Sequence, residues 1–191
     1  MNLYSLHTNK EELYNYNKHL QVPELAYEYL LQGNTSTDAL QAIATDAHYS
    51  YLYAKNVLNG RFELGEEQIA TDARFSYYYA NNILNRQFKA GEEQIATDAY
   101  YSYTYANNIL KGQFKAGEKG IAMSAYYSFL YAKDVLKGQF KAGEEAIASS
   151  AEYSYLYAKF ILKTRFELGE KVMKEDKDIW RDYNEFIWLT H

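Results

Sequence analysis

Residues 88–113 read FKAGEEQIATDAYYSYTYANNILKGQ, and this 26-residue unit recurs along most of the 191-residue chain. Each copy begins with a phenylalanine, has a Gly-Glu pair three residues later and a Tyr-Ala pair 17 residues later. The phenylalanines are Phe62, Phe88, Phe114, Phe140 and Phe166. Because the copies occupy equivalent environments, residues that never vary indicate packing, whereas residues that vary are free for other roles.

Each unit is predicted to form a short helix followed by a long helix. Residues 91–97 can form about two helical turns, with Glu92 and Glu93 in the first turn, where the helix dipole favours negative charge. Asp98 then provides an N-cap, and the long helix is expected over residues 99–111. The N-cap position is occupied along the chain by Asp46, Asp72, Asp98, Ser124, Ser150 and Asp176.

Glycine follows the long helix in three of the copies. Gly60, Gly112 and Gly138 are predicted to be left-handed C-caps, because glycine adopts a positive φ without strain. Arg86 and Thr164 occupy the same place in two other copies. Those two turns are therefore predicted to use a different or a strained cap.

The predicted fold class is all-α, an α-solenoid of about six pairs of a short and a long helix with helical caps at both ends. Pairs this short cannot bury their apolar faces alone, so neighbouring pairs should stack. In one continuous domain, residues 1–35 form the N-terminal cap, 36–175 the tandem repeats and 176–191 the C-terminal capping helix. The long helices are expected to begin near Ala47, Ala73, Ala99, Ala125, Ala151 and Lys177.

Both predicted caps depart from the repeat pattern. At the N-terminal end, residues 9–20 and 23–32 are expected to form two helices, with Pro23 at a helix start, where proline fits best. In the last helix, Ile179, Tyr183 and Ile187 are expected to keep the buried positions of the repeat. Such degenerate ends are typical of repeat arrays.

Composition limits the classes of function. A hydrophobic content of 48% allows a substantial core, and a net charge of −5 argues against a dedicated nucleic-acid binder. The absence of cysteine excludes disulfides, thiolate metal sites and thiol catalysis. Because no signal peptide and no run of about 18 apolar residues is found, we expect a soluble cytoplasmic protein without membrane partners.

The long helix has a constant face and a variable face. The constant positions, exemplified by residues 75, 76, 77, 79, 80, 83 and 84, cover an arc of about 200° and are predicted to be buried. Exposed tyrosine with arginine and asparagine is typical of protein interfaces, although ordinary solvated side chains are an equal alternative. The candidate binding face comprises Lys55, Arg74, Tyr78, Asn81, Tyr100, Thr104, Asn107, Tyr126, Leu130 and Lys133.

No motif indicates catalysis, a metal site or a cofactor. The four histidines are scattered, and neither H-E-x-x-H nor a phosphate-binding G-x-x-x-x-G-K-S/T motif is present. An active site needs distinct groups that converge once, whereas this chain repeats one set of residues, so we predict no enzyme activity. The recurring glutamates at 66, 92, 118, 144 and 170 are better explained as charges at helix N-termini, and each could accept a hydrogen bond from a tyrosine of an adjacent layer.

The unit F-x-x-G-E-x-x-I-A-x-D/S-A-x-Y-S-Y-x-Y-A-x-x-V/I-L-x-G resembles short helical repeats found in many proteins of tailed bacteriophages and giant viruses. The resemblance covers roughly residues 37–175 and rests on the Gly-Glu and Tyr-Ala signatures and the 26-residue step. It implies a viral origin and hence the cytoplasm of a host cell. Small phage proteins of this kind often bind and disable a host factor.

These observations predict a non-enzymatic, tyrosine-rich binding protein, a viral helical-repeat module that binds a host protein and could inhibit it. The first alternative is a protein that sequesters a small nucleotide in grooves between repeats through tyrosine and lysine. The second, disfavoured by the acidic charge, is a single-stranded nucleic-acid binder that uses Tyr78, Tyr100 and Tyr126 as stacking platforms beside a column of lysines. The sequence leaves the partner, the curvature of the array and the oligomeric state open.

Overall fold

The computed structural model describes Lys18 and residues 20–190, and none of these residues forms a strand. By its internal contacts the chain divides into two compact units, residues 1–91 and 92–191. The first predicted helix, residues 9–20, lies outside the described residues except for Lys18 and Leu20.

The predicted helix at Pro23 is present in the first unit, and its proline occupies the first turn. A 3₁₀ turn, Glu63–Gly65, leads into the short helix that begins at Glu66, and a π-helical turn, Ala80–Leu84, extends the long helix that begins at Ala73. A further 3₁₀ turn, Lys89–Gly91, completes this unit. Among its residues from 20 onward, the α-helices are α1 (Pro23–Leu31), α2 (Thr37–Ile43), α3 (Ala47–Asn56), α4 (Glu66–Ile69) and α5 (Ala73–Tyr79).

The second unit repeats the same pairing four times. Its short helices are α6 (Glu92–Ile95), α8 (Glu118–Ile121), α10 (Glu144–Ala148) and α12 (Glu167–Met173). Its long helices are α7 (Ala99–Tyr105), α9 (Ala125–Leu130), α11 (Ala151–Tyr157) and α13 (Lys177–Thr190). The π-helical turns Ala106–Leu110, Tyr131–Leu136 and Ala158–Leu162 extend α7, α9 and α11, and the 3₁₀ turns Lys115–Gly117 and Lys141–Gly143 precede α8 and α10. The all-α repeat of short and long helices is confirmed.

The predicted N-caps are confirmed and explain where each long helix begins. The Asp72 carboxylate accepts the N–H of Phe75 at 2.9 Å, and the Ser124 hydroxyl accepts the N–H of Tyr127 at 3.4 Å. These side chains satisfy backbone donors that the first helical turn leaves without partners. As the repeat predicts, the long helices begin at Ala47, Ala73, Ala99, Ala125, Ala151 and Lys177.

The prediction of glycine C-caps is wrong, because the left-handed residue comes one position earlier. Within the described residues, Gly33 is the only glycine with a positive φ. The last helical turn widens, so that the N–H of Arg86 reaches the carbonyl of Ala80, six residues back. In a standard Schellman motif, the corresponding N–H bonds to the carbonyl five residues back. The position of Arg86 and Thr164 therefore needs no glycine. The left-handed residues, with φ between 47° and 56°, are Asn59, Asn85, Lys111, Lys137 and Lys163.

A fully buried tyrosine in each long helical segment from α5 onward connects the invariant positions of the repeat, whereas Tyr53 of α3 is 9% exposed. In the second unit, the Tyr131 hydroxyl accepts the N–H of Phe114 at 2.9 Å and donates to the Glu118 carboxylate at 3.3 Å. Its ring meets Phe140 edge to face, with centroids 5.0 Å apart. Tyr79 makes the same bonds in the first unit. The glutamate of the Gly-Glu pair thus accepts a tyrosine hydrogen bond as expected, but from the long helix of its own unit and not from an adjacent layer.

The glycine of the Gly-Glu pair is required because a serine of the preceding long helix packs directly against it. Ser102 is completely buried, and its hydroxyl donates to the carbonyl of Ile95 at 2.8 Å. A Cβ placed on Gly117 would lie 2.6 Å from the Ser102 Oγ and would also overlap the Phe114 ring. Any side chain at Gly117 would therefore separate two layers of the repeat.

We expect Gly117→Ala to lower the free energy of unfolding by about 1–3 kcal/mol, because the added methyl group overpacks the contact with Ser102. Gly112→Ala is the matched control, since a Cβ there meets only the Leu110 carbonyl at 3.9 Å and the φ of Gly112 is not positive. It should be neutral or stabilise by up to about 1 kcal/mol. Urea unfolding monitored by circular dichroism measures both values, and equal stabilities of the two variants would contradict the packing interpretation.

Candidate binding surface

The structure exposes half of the ten residues predicted to form the binding face. Lys55, Arg74, Tyr100, Tyr126 and Lys133 are exposed. Tyr78, Asn81, Asn107 and Leu130 are half-buried.

Thr104 is the exception, because it is only 9% exposed. Its hydroxyl donates to the backbone carbonyl of Tyr100 at 2.8 Å, one helical turn earlier. The equivalent residues Tyr78 and Leu130 are half-buried as well, so this column of the repeat lies at the edge of the core. The exposed face is therefore narrower than the sequence variation suggests. It follows the second helical position, residues 74, 100 and 126, together with Lys55 and Lys133.

In the first unit, the exposed residues of α3 and α5 surround a groove with a volume of about 540 Å³. The predicted residues Lys55, Arg74 and Tyr78 all line it. The remaining lining residues are His48, Tyr51, Leu52, Phe75 and Asn82.

The floor of this groove is aromatic. The Tyr51 ring lies 5.8 Å from Phe75 and 6.0 Å from Tyr78, measured between centroids, and His48 stacks on Phe75 at 5.2 Å. Tyr51 and Phe75 are buried, whereas His48 is exposed. Tyr51 is held in place by a hydrogen bond of 2.9 Å that its hydroxyl accepts from the Asn82 amide. The groove thus has a fixed apolar base.

Two cationic side chains lie at the rim of the groove. The Arg74 guanidinium is stacked over Phe75, with its central carbon 4.4 Å from the ring centroid, and the Lys55 ammonium lies 5.8 Å from the Tyr51 centroid. Among the described residues that line the groove, none is acidic. The groove is therefore positively charged even though the chain as a whole has a net charge of −5.

In the second unit, the exposed residues of α7 and α9 form part of a row of tyrosine rings. Tyr100 and Tyr126 are 41% and 45% exposed, and Tyr127 lies between them, with centroids 5.9 Å and 4.9 Å away. Tyr103 packs beneath Tyr127 and donates to the Asp134 carboxylate at 2.9 Å. Burial and this carboxylate raise the pKa of Tyr103 well above its ordinary value.

The recurring glutamates belong to the structural core of the repeat and do not form a free carboxylate ladder. Arg61 forms a two-pronged ion pair with Glu66, at 2.6 Å and 2.8 Å, and its hydrogen bonds, with that of Tyr79, lower the pKa of Glu66. Arg165 donates two hydrogen bonds to a single oxygen of Glu170, Oε1, at 2.9 Å and 2.6 Å. Burial alone would raise the pKa of Glu170, but the hydrogen bonds from Arg165 and Tyr183 lower it. These carboxylates are therefore already satisfied by protein groups.

The candidate binding face omits several contributors to the groove of the first unit. Tyr51 and Phe75 belong to columns that keep an aromatic residue and indicate the core, and His48 lies on the variable face but was treated only as a scattered histidine. Asn82 precedes a position that is always valine or isoleucine, and its own column reads Asn56, Asn82, Asn108, Asp134 and Phe160. The change to aspartate and phenylalanine in later copies was a readable signal that this position is variable.

The comparisons with known proteins supply no relative. No known protein family, curated protein or solved structure matches this chain. Within the described residues, no three His, Asp or Glu side chains are grouped closely enough to hold a metal ion. No helix in the described part of the chain is both long and apolar enough to cross a membrane.

Burial of the core tyrosines predicts a loss of stability at alkaline pH. Burial, followed by the Glu118 carboxylate, raises the pKa of Tyr131 from 10.0 to about 12. Because the folded pKa exceeds the unfolded one, the contribution of Tyr131 is complete below about pH 10 and is lost as the pH rises to about 12. Urea unfolding at increasing pH should show this decline, together with late ionisation of the buried tyrosines by ultraviolet absorbance. A constant unfolding free energy across this range would contradict it.

Proposed function

We propose that this chain is a non-enzymatic binding protein that engages a partner protein through exposed side chains of its long helices. The observation that supports this proposal most strongly is the pair of exposed tyrosines, Tyr100 and Tyr126, on α7 and α9. Large aromatic side chains that remain exposed on an otherwise well-packed repeat are typical of binding hot spots.

The two tyrosines are held in position before a partner arrives. Tyr100 also packs edge to face on Tyr101 at 4.9 Å, and Tyr126 contacts Tyr153 at 5.7 Å. Such ring contacts restrict the rotamers of both side chains. Binding then loses less conformational entropy, which favours tyrosine as an anchor in recognition surfaces.

The neighbouring side chains have the mixed chemistry of a protein interface. Leu130 adds a half-buried apolar group, Asn107 adds amide donors and acceptors, and Lys133 adds an exposed charge. An aromatic centre with a polar rim is the usual composition of non-obligate interfaces.

A non-enzymatic role is supported by the way the ionisable groups are used. The carboxylates nearest the core, such as Glu118 and Glu170, recur in equivalent bonds with tyrosine hydroxyls. A catalytic site instead requires different groups that converge on one reacting atom. In the viral setting that the repeat resemblance implies, the partner would be a host protein in the cytoplasm, and binding would inhibit it.

The test is a pull-down with the double variant Tyr100→Glu and Tyr126→Glu. The repeat itself shows that glutamate is compatible with the fold here, since Glu152 occupies the same position in α11. In the bound state each glutamate would bury an unpaired negative charge where the partner accommodates a tyrosine ring. Capture of the partner from candidate host lysates should therefore fall at least tenfold. Mass spectrometry of the captured proteins measures the loss.

The matched control is the double variant Thr97→Glu and Met123→Glu, which adds the same charge in the same two repeats. Both residues are exposed, and Glu175 occupies their position in a later copy. This control should retain the partner at the wild-type level. Equal capture by both variants, or no protein retained specifically by the wild type, would contradict the proposed surface.

A further inference from the structure

The groove between α3 and α5 has the dimensions of a small-molecule site. Its volume is about 540 Å³, within the range of roughly 300–1,000 Å³ that is usual for ligand pockets. His48 and Lys55 lie seven residues apart on α3, which corresponds to about 10 Å along a helix axis. A ligand in the groove could therefore contact polar groups at both ends and the aromatic floor between them.

The charge of the groove selects for an anion. Lys55 and Arg74 reach into it from different helices, and among the described lining residues there is no carboxylate to neutralise them. The nearby carboxylates of Asp46 and Asp72 accept the N–H groups of Tyr49 and Phe75 at the helix N-termini. A guanidinium stacked on a ring, like that of Arg74, keeps its N–H edges available for phosphate oxygens.

The floor selects for a planar group. His48, Tyr78 and the buried rings of Tyr51 and Phe75 offer aromatic surface to any ligand that enters. Nucleic-acid bases stack on such side chains without requiring a particular base. The Asn82 amide, which already holds the Tyr51 hydroxyl, adds a polar group at the wall.

These groups are not imposed by the fold. The positions of His48, Lys55, Arg74 and Asn82 recur 52 residues later in the second unit. There they are occupied by Tyr100, Asn107, Tyr126 and Asp134. In the second unit these positions thus have no cation, and they gain the Asp134 carboxylate, which accepts a hydrogen bond from the Tyr103 hydroxyl. The concentration of positive charge is specific to the groove of the first unit.

We infer that the groove lined by Lys55, Arg74, Tyr51 and Tyr78 is a binding site for a free mononucleotide. The phosphate lies between the guanidinium of Arg74 and the ammonium of Lys55, and the base packs on the aromatic floor. The site uses residues other than Tyr100 and Tyr126, so its occupancy does not depend on the proposed protein partner.

The test is isothermal titration of the full chain with AMP, compared with the double variant Lys55→Asn and Arg74→Tyr. Both substitutions copy residues that the chain places at equivalent positions, Asn81 and Tyr100, so the variant should fold. We expect the wild type to bind AMP and the variant to bind it at least tenfold more weakly. Far-UV circular dichroism and the melting temperature without ligand confirm that the variant is folded.

The control variant removes the same charge outside the groove and outside the proposed protein-binding surface, by Lys137→Asn and Arg86→Thr. Asn85 and Thr164 occupy these positions in other copies. This variant should bind AMP with the wild-type affinity. Equal weakening in both double variants would show that only net charge matters and would overturn the site, as would unchanged binding in the groove variant or no AMP binding by the wild type.

Three further titrants separate the contributions of the base and of the phosphate to binding. Adenosine and inorganic phosphate should each bind at least tenfold more weakly than AMP, because each lacks one half of the recognised chemistry. A four-residue oligodeoxyadenylate should bind no more tightly than AMP. Adenosine or phosphate binding as tightly as AMP would overturn the two-part recognition, and binding of the oligonucleotide alone would assign the groove to single strands instead.

Discussion

The Tyr131 hydroxyl accepts a buried backbone N–H from Phe114 and donates to the Glu118 carboxylate, and this pair of bonds is the constraint on which the repeat depends. Phe114 starts one unit, Glu118 begins its short helix and Tyr131 belongs to the middle of its long helix. One side chain therefore fixes the entry, the short helix and the long helix of a unit relative to one another. The buried N–H has no other partner in a helix or turn, so its satisfaction requires the tyrosine hydroxyl. This requirement explains why the Tyr-Ala and Gly-Glu signatures recur together.

Because these bonds and the Ser–Gly contact hold the layers together, the remaining positions of the long helix can change without loss of the fold. The second helical position illustrates this freedom, since it is Arg74 in α5, Tyr100 in α7 and Glu152 in α11. The first unit uses such positions to surround an aromatic groove with cations, whereas the second presents tyrosine rings. One scaffold thus provides two surfaces of different chemistry.

The sequence predicted the fold well because its strongest signals are local. Asp72 and Ser124 mark helix starts through a single side-chain bond, and the structure places both as expected. The C-termini were less predictable, because the widening of the last turn in front of Asn85 depends on packing of the whole helix and moves the left-handed residue away from the glycine position. Thr104 was wrongly assigned to the exposed face for a related reason. Its column varies because different side chains pack at this half-buried edge of the core, and not because the position faces solvent. The sequence suggested grooves between repeats and named Lys55, Arg74 and Tyr78, but it did not predict the floor of this groove, since Tyr51 and Asn82 lie 31 residues apart in the chain and meet only when their helices pack side by side.

The most direct test of the central interaction is the unfolding free energy of Tyr131→Phe, with Tyr126→Phe as the matched control. Both variants remove one hydroxyl from the same helix pair, but the Tyr131 ring is fully buried and the Tyr126 ring is 45% exposed. Loss of the Tyr131 hydroxyl leaves the Phe114 N–H buried without a partner, which should lower stability by about 1–3 kcal/mol, whereas Tyr126→Phe should change it by less than about 0.5 kcal/mol. Urea denaturation in neutral buffer measures both values. A stability of Tyr131→Phe within about 0.5 kcal/mol of the wild type would contradict the account.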